Sequence, residues 1–133
     1  MADEAAAPMI GAGLRALVID DDETMSDFVS SVLSRAGYAV TVCGDGMAGL
    51  NAFRAAPFDV VVADERMPRL SGLSFLRNLR LPQGSKHRVV MFTSMADQKF
   101  RREAQAAGAF ACLNKPASAQ ALLDAIAGKS PGI

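Results

Sequence analysis

Residues 14–37 read LRALVIDDDETMSDFVSSVLSRAG, and this stretch decides the fold. It opens with an apolar run at 16–19, too short for a helix and rich in branched side chains, which predicts a strand. Four acids follow, Asp20 to Glu23. Met25, Phe28, Val29, Val32, Leu33 and Ala36 then recur at the i, i+3, i+4, i+7, i+8 and i+11 positions of one helical face. Gly37 supplies the stop. A strand followed at once by an amphipathic helix is one βα unit.

The rest of the chain repeats that unit. Further apolar runs at 39–42, 60–63, 89–92 and 110–113 make five strand candidates in all. Between and after them lie helical patterns at about 45–56 (Met47, Leu50, Phe53), 72–80 (Phe75, Leu76, Leu79), 97–107 (Phe100, Ala104, Ala107) and 118–127 (Leu122, Leu123, Ile126). Pro82, Gly108 and Gly128 punctuate them. Because the strand runs are continuously apolar and not alternating, each is expected to be covered on both faces, as in a parallel sheet between helices. The fold class is α/β with a (βα)5 order and right-handed crossovers.

At 133 residues and 14.0 kDa the chain has length for one domain, expected at 14–128, with 1–13 a flexible extension and 129–133 a tail. Half the residues are apolar and 21% are charged, which excludes disordered and low-complexity classes. No apolar run approaches the roughly 18 residues of a membrane span, and Asp3 and Glu4 stand where a secretory signal carries bases. A soluble cytoplasmic protein with no membrane partner is expected. Cys43 and Cys112 lie in apolar runs and read as reduced thiols; with His87 alone beside them they cannot make a four-ligand zinc site. His87 itself reads as a solvated loop residue. Residues 1–65 hold eleven acids and three bases, and 66–133 hold three acids and eleven bases. The bases are scattered over several segments without interleaved aromatics, so no nucleic-acid partner is expected.

In sheets of this kind ligands bind beyond the carboxyl ends of the strands. Strand one is followed by Asp20, Asp21, Asp22 and Glu23, strand three by Asp64, Glu65, Arg66, Met67 and Pro68, strand four by Thr93 and Ser94, and strand five by Asn114, Lys115 and Pro116. Carboxylates delivered to one rim repel one another unless a cation offsets them. Mg2+ is the economical answer, because it takes oxygen ligands, needs only one or two carboxylates and keeps waters that a phosphoryl group can replace. Lys115 then aims an ammonium at that group, with the Thr93 hydroxyl as a neutral donor beside it. This is the equipment of phosphoryl transfer, where charge compensation and in-line positioning do most of the catalysis.

Asp20-Asp21, Asp64-x-x-Met67-Pro68-x-x-x-Gly72, Thr93 and Lys115-Pro116 occur in that order after strands one, three, four and five. Together they resemble the receiver domain of bacterial two-component response regulators, over nearly the whole chain. The resemblance implies a doubly wound, flavodoxin-like sheet of strand order 2-1-3-4-5 with helices on both faces. It implies an aspartyl-phosphate at Asp64 and Mg2+ held by Asp21, Asp64 and the Arg66 backbone carbonyl, with Asp20 assisting partly through water. By the same carry-over Lys115 and Thr93 contact the phosphoryl group, and the Lys115–Pro116 bond is cis, which costs little before proline. The implied protein is a switch and not a general enzyme, catalysing only its own phosphorylation and dephosphorylation. Its implied partners are a histidine kinase or histidine phosphotransfer protein and a downstream protein on the face of the fourth helix, fifth strand and fifth helix.

Two rival motifs are present. Gly44-x-Gly46-x-x-Gly49 fits a dinucleotide-binding turn, with Asp64 at about the distance of a ribose-binding acid. It sits in the second βα unit, sets Asp45 against a pyrophosphate and leaves Asp20, Asp21, Thr93 and Lys115 unexplained; turn and helix-start glycines are the simpler reading. Asp20-x-Asp22-x-Thr24 resembles the first motif of haloacid-dehalogenase-type phosphatases, with Asp20 as nucleophile. In that family the acidic metal loop follows the lysine, whereas Asp64 precedes Lys115. Asp22 and Glu23 read as the cap and charge match of the first helix.

The chain also departs from the receiver pattern. Receivers usually carry an aromatic ring three residues before the lysine, and its rotation couples to the threonine hydroxyl; here that residue is Cys112, and Ala117 replaces the aromatic that commonly follows Lys-Pro. The signal is therefore expected to travel by loop motion after Asp64 and Thr93. Arg66 and Met95, two past Asp64 and Thr93, flank the path of the hydrolytic water in receivers. A slowly hydrolysing phospho-form is expected, with Arg66 pairing with the acids before metal binds.

Overall fold

The computed structural model describes residues 9–129. Strands and helices alternate: β1 Arg15–Ile19, α1 Glu23–Arg35, β2 Ala39–Cys43, α2 Gly46–Ala55, β3 Val60–Ala63, α3 Gly72–Leu79, β4 Arg88–Thr93, α4 Gln98–Ala107, β5 Ala111–Asn114 and α5 Ala119–Ala127. The five strands form one parallel sheet in the order β2-β1-β3-β4-β5, the expected doubly wound arrangement.

Alternation along each strand divides the interior into two cores. Leu17, Ile19, Val61, Ala63, Val89, Met91 and Cys112 face Leu50, Leu73, Phe75, Leu76, Phe100 and Ala104 from α2, α3 and α4. Ala16, Val18, Val60, Val62, Val90, Phe92 and Ala111 face Val29, Val32, Leu33, Leu122, Ala125 and Ile126 from α1 and α5. Burial on this scale stabilises by about 1.5–3 kcal/mol per large apolar side chain. Each helix starts on a side-chain oxygen that accepts a third-position amide: Asp22 from Met25, Asp45 from Ala48, Ser71 from Ser74, Asp97 from Phe100 and Ser118 from Ala121. Asp22 therefore is the cap that its position suggested.

Three expectations need correction. Part of the extension expected at 1–13 is built into the domain: residues 9–13 form a turn in which the Gly11 amide donates to the Ala36 carbonyl at 2.9 Å. Gly11 also lies so close to the Tyr38 ring that any Cβ would collide with it. Residues 1–8 of that extension and 130–133 of the tail lie outside the described residues. β2 is covered only in part: it is one of the two edge strands, Cys43 and Val40 pack partly against the two cores, and Val42 is 48% exposed. His87 is not a solvated loop residue either. It is half-buried, its Nδ1 2.6 Å from the Phe58 carbonyl and its ring edge-on to Phe53.

The glycines of the rival dinucleotide motif have packing duties. A Cβ on Gly46 would strike the Leu70 carbonyl, and one on Gly49 would strike Ile19.

Candidate functional site

Register brings the acids together. Ile19 of β1 pairs with Ala63 of β3, so the next residues, Asp20 and Asp64, leave the sheet side by side. Their amides make its last rungs, Asp20 to the Cys43 carbonyl at 3.1 Å and Asp64 to the Ile19 carbonyl at 3.0 Å. Asp21 completes a trio whose carboxylate oxygens can all lie within 4.8 Å of one another. Asp20 is buried, Asp64 half-buried and Asp21 exposed.

Lys115 reaches this trio from the far side of β4. Its Nζ passes 5.7 Å from the centre of the Phe92 ring and ends 2.8 Å from Asp20 Oδ2 and 3.5 Å from Asp64 Oδ2. Burial pushes the Asp20 carboxyl pKa up, against the Lys115 hydrogen bond and the Asp22 amide, which donates to Oδ1 at 2.9 Å. Three carboxylates against one ammonium leave an excess of negative charge among hard oxygen donors. That donor set fits a divalent cation. The Lys115–Pro116 bond is cis, as expected.

Thr93, 1% exposed, closes the same rim at the end of β4, where its Oγ1 accepts the Met95 amide at 3.3 Å. Lys115 is tied to it through the backbone, amide to Thr93 carbonyl at 3.1 Å. Arg66 corrects an expectation: its side chain is exposed and its Nε lies 2.9 Å from Met95 Sδ, so it bridges two loops instead of pairing with the acids. Cys112 is sealed in the core at 1% exposure, and burial pushes its thiol pKa up to about 11.

One residue beside the site carries a role that the sequence did not disclose. The Glu65 amide donates to Asp64 Oδ1 at 2.8 Å, while its carboxylate accepts the Leu73 amide at 2.7 Å. A glutamate this far ahead of a helix falls outside the three-residue spacing of a capping box. Its only sequence signal is its place next to Asp64.

Residues 16–127 match the response regulator receiver domain family. The chemotaxis protein CheY-3 of Vibrio cholerae is 32% identical over 116 residues, covering 86% of this chain and 89% of that protein. The transcriptional regulatory protein FixJ of Bradyrhizobium diazoefficiens is 37% identical over 99 residues, 74% of this chain. The chain spans 48% of FixJ and 33% of the transcriptional activator PfeR of Pseudomonas aeruginosa. Among solved structures, Vibrio cholerae CheY4 superposes with a TM-score of 0.78 at 29% identity, covering 88% of this chain and 98% of that one. A response regulator from Burkholderia pseudomallei, solved with a phosphorylated aspartic acid and a calcium ion, gives 0.76 at 29% identity over 85% of this chain and 66% of that one. The haloacid-dehalogenase reading is not supported, because the family match is to receivers. The match runs through every residue of this rim, and the chain belongs to the response regulator receiver domain family.

Proposed function

We propose that this chain is a phospho-accepting switch of a two-component system or phosphorelay, with Asp64 as the acceptor. The observation that carries the reading is the posture of the Asp64 carboxylate. Oδ1 is held by the Glu65 amide, and Oδ2 faces the Lys115 ammonium inside an acidic trio. The Asp64 Oδ2 lone pair forms the new O–P bond as the P–N bond of a phosphohistidine breaks, and the bonding pair stays on that imidazole nitrogen; with a proton already on its other nitrogen, the ring leaves as neutral imidazole. The donor is a histidine kinase or histidine phosphotransfer protein. Lys115 Nζ and the Thr93 hydroxyl donate to the oxygens of the incoming group.

Asp21, Asp64 and the Arg66 carbonyl would hold Mg2+, with Asp20 alongside. Bound there, the ion supplies charge compensation for the transferring phosphoryl group. The kinship with FixJ and CheY-3 and the phosphorylated aspartic acid of the Burkholderia regulator support the reading. The protein catalyses only its own phosphorylation and dephosphorylation, works in the cytoplasm and acts by changing partner binding on the α4–β5–α5 face. Among the described residues no helix is long and apolar enough to cross a membrane.

Intact mass after incubation with phosphoramidate and Mg2+ tests the assignment. One phosphoryl group is expected on the parent and none on Asp64→Asn; equal incorporation in the variant sinks it.

A further inference from the structure

The first amides of α3 need partners from outside the helix. Gly72 donates to the Glu65 carbonyl at 3.0 Å, Leu73 to Glu65 Oε1 at 2.7 Å and Ser74 to Ser71 Oγ at 3.1 Å. Glu65 thus serves two of the three. The same residue, through its own amide, holds Asp64 Oδ1 at 2.8 Å. The two peptide units that flank the Glu65 Cα are thus each held, one on Asp64 Oδ1 and the other on the Gly72 amide, and the side chain between them is held on the Leu73 amide. The fit is close, since a Cβ on Gly72 would strike the Asp64 carbonyl.

The placement also works against simple electrostatics. The Glu65 carboxylate is half-buried near the like charges of Asp64 and Glu103, with Arg77 offsetting them in part. A helix amino terminus favours a negative charge, so the cap accounts for its position where the surrounding acids do not.

We propose that Glu65 is a positioning residue for phosphoryl transfer: anchored on α3 by its carboxylate, it fixes its amide on Asp64 Oδ1 and so presents Oδ2 as the attacking oxygen. The proposal rests on the reading of Asp64 as phosphoacceptor. A carboxylate free to rotate about its Cβ–Cγ bond spends less time with an oxygen in line, and small misplacements are costly in rate.

The test uses the full chain, Mg2+ and phosphoramidate, whose P–N bond breaks with the pair leaving on nitrogen as ammonia while Asp64 Oδ2 bonds to phosphorus. Glu65→Ala should lower the maximal rate of phosphorylation about tenfold and leave the half-saturating phosphoramidate concentration within about twofold, as expected for alignment and not donor binding. Glu65→Gln, which still accepts the Leu73 amide, should return to within about threefold of the parent. Glu65→Ala as fast as the parent or faster, or Glu65→Gln as slow as Glu65→Ala, overturns the proposal. If Asp64→Asn is phosphorylated, the acceptor reading falls and this one with it; if Asp64→Asn is inert and Glu65→Ala unimpaired, only the positioning role falls. Should Glu65→Ala fail to fold, amide exchange in the parent decides. The Leu73 amide should be protected at least about tenfold, and an unprotected one refutes the anchor.

Discussion

The loops leaving β3 and β4 meet at the Arg66–Met95 contact, yet they are held in different ways. The β3–α3 loop is braced by its own backbone and by close fits. Gly72 bonds to Glu65, Leu70 to Pro68, and the Leu70 carbonyl occupies the space where Gly46 lacks a side chain. The β4–α4 loop has one backbone bond of its own, the Asp97 amide to the Met95 carbonyl at 2.7 Å, and is otherwise held by side chains: Arg101 Nε donates to the Ala96 carbonyl at 2.9 Å, and Arg66 reaches Met95. A close backbone fit opens only when packed groups move, whereas a side-chain bond at the surface can be exchanged locally. Asp64, the proposed acceptor, therefore sits on the more closely fitted loop, and of the two loops expected to carry the signal the one after Thr93 is expected to move more.

The sharpest way to break this contrast is Gly72→Ala. Its Cβ would meet the Asp64 carbonyl and the Met91 side chain, and two packed groups must move. A loss of about 3 kcal/mol in urea unfolding is expected. Gly44→Ala, where a Cβ meets nothing within 4 Å, should change stability by less than about 0.5 kcal/mol. Equal effects would mean that the loop is not braced as described. Lys115→Met comes next. It leaves buried Asp20 beside Asp21 and Asp64 without the ammonium at 2.8 Å, and should cost about 2 kcal/mol at neutral pH, less than a fully buried pair because the rim is wet. Millimolar Mg2+ should recover much of that loss; a deficit indifferent to Mg2+ would argue against a cation site at the trio.

The same contrast governs what the sequence discloses. Strands and helices are legible because the apolar runs and helical stripes are local and each helix follows an Asp or Ser cap. The site is legible because parallel strands deliver their last residues to one rim, which is where Asp20, Asp64, Thr93 and Lys115 stand. What escapes depends on distant partners. The run at 39–42 reads like the buried strands, yet it lies at a sheet edge with partial helix cover, whereas β5 at the other edge keeps Ala111 and Cys112 buried. His87 acquires its partners, Phe58 and Phe53, from elements about thirty residues away. Arg66 has acids nearby in sequence, but the fold offers it the Met95 sulfur.

Cys112 sharpens the comparison from the core side. It lies in the same cluster as Met91, Phe100 and Ala104 at 1% exposure, where a ring adds far more volume than the thiol it replaces. Cys112→Tyr should therefore destabilise by about 1–3 kcal/mol and not restore an aromatic switch; an unchanged unfolding midpoint would mean that the core can admit the ring. Burial holds the folded thiol at about 11 against an ordinary value of 9.0. The unfolded chain thus loses this proton first. The stability contributed is full below pH 9 and is lost as pH rises to 11, on the order of 2 kcal/mol. Cys112→Ala should flatten that alkaline decline in urea unfolding, and an equally steep decline in the variant would contradict it.

The smallest expected effect tests the contact between the loops. Thioether sulfur is a weak acceptor, so the 2.9 Å approach of Arg66 Nε to Met95 Sδ adds little to stability. Its consequence should appear in the lifetime of the proposed phospho-form, because these are the two positions that flank the path of the hydrolytic water in receivers. Arg66→Ala and Met95→Ala should each hasten loss of the phosphoryl group about threefold, and the double variant should decay no faster than either, which gives a coupling of about 0.6 kcal/mol. Decay followed by intact mass separates the alternatives. Multiplied effects would show that each side chain blocks water by itself, and a parent that decays as fast as Arg66→Ala would show that the bridge screens nothing.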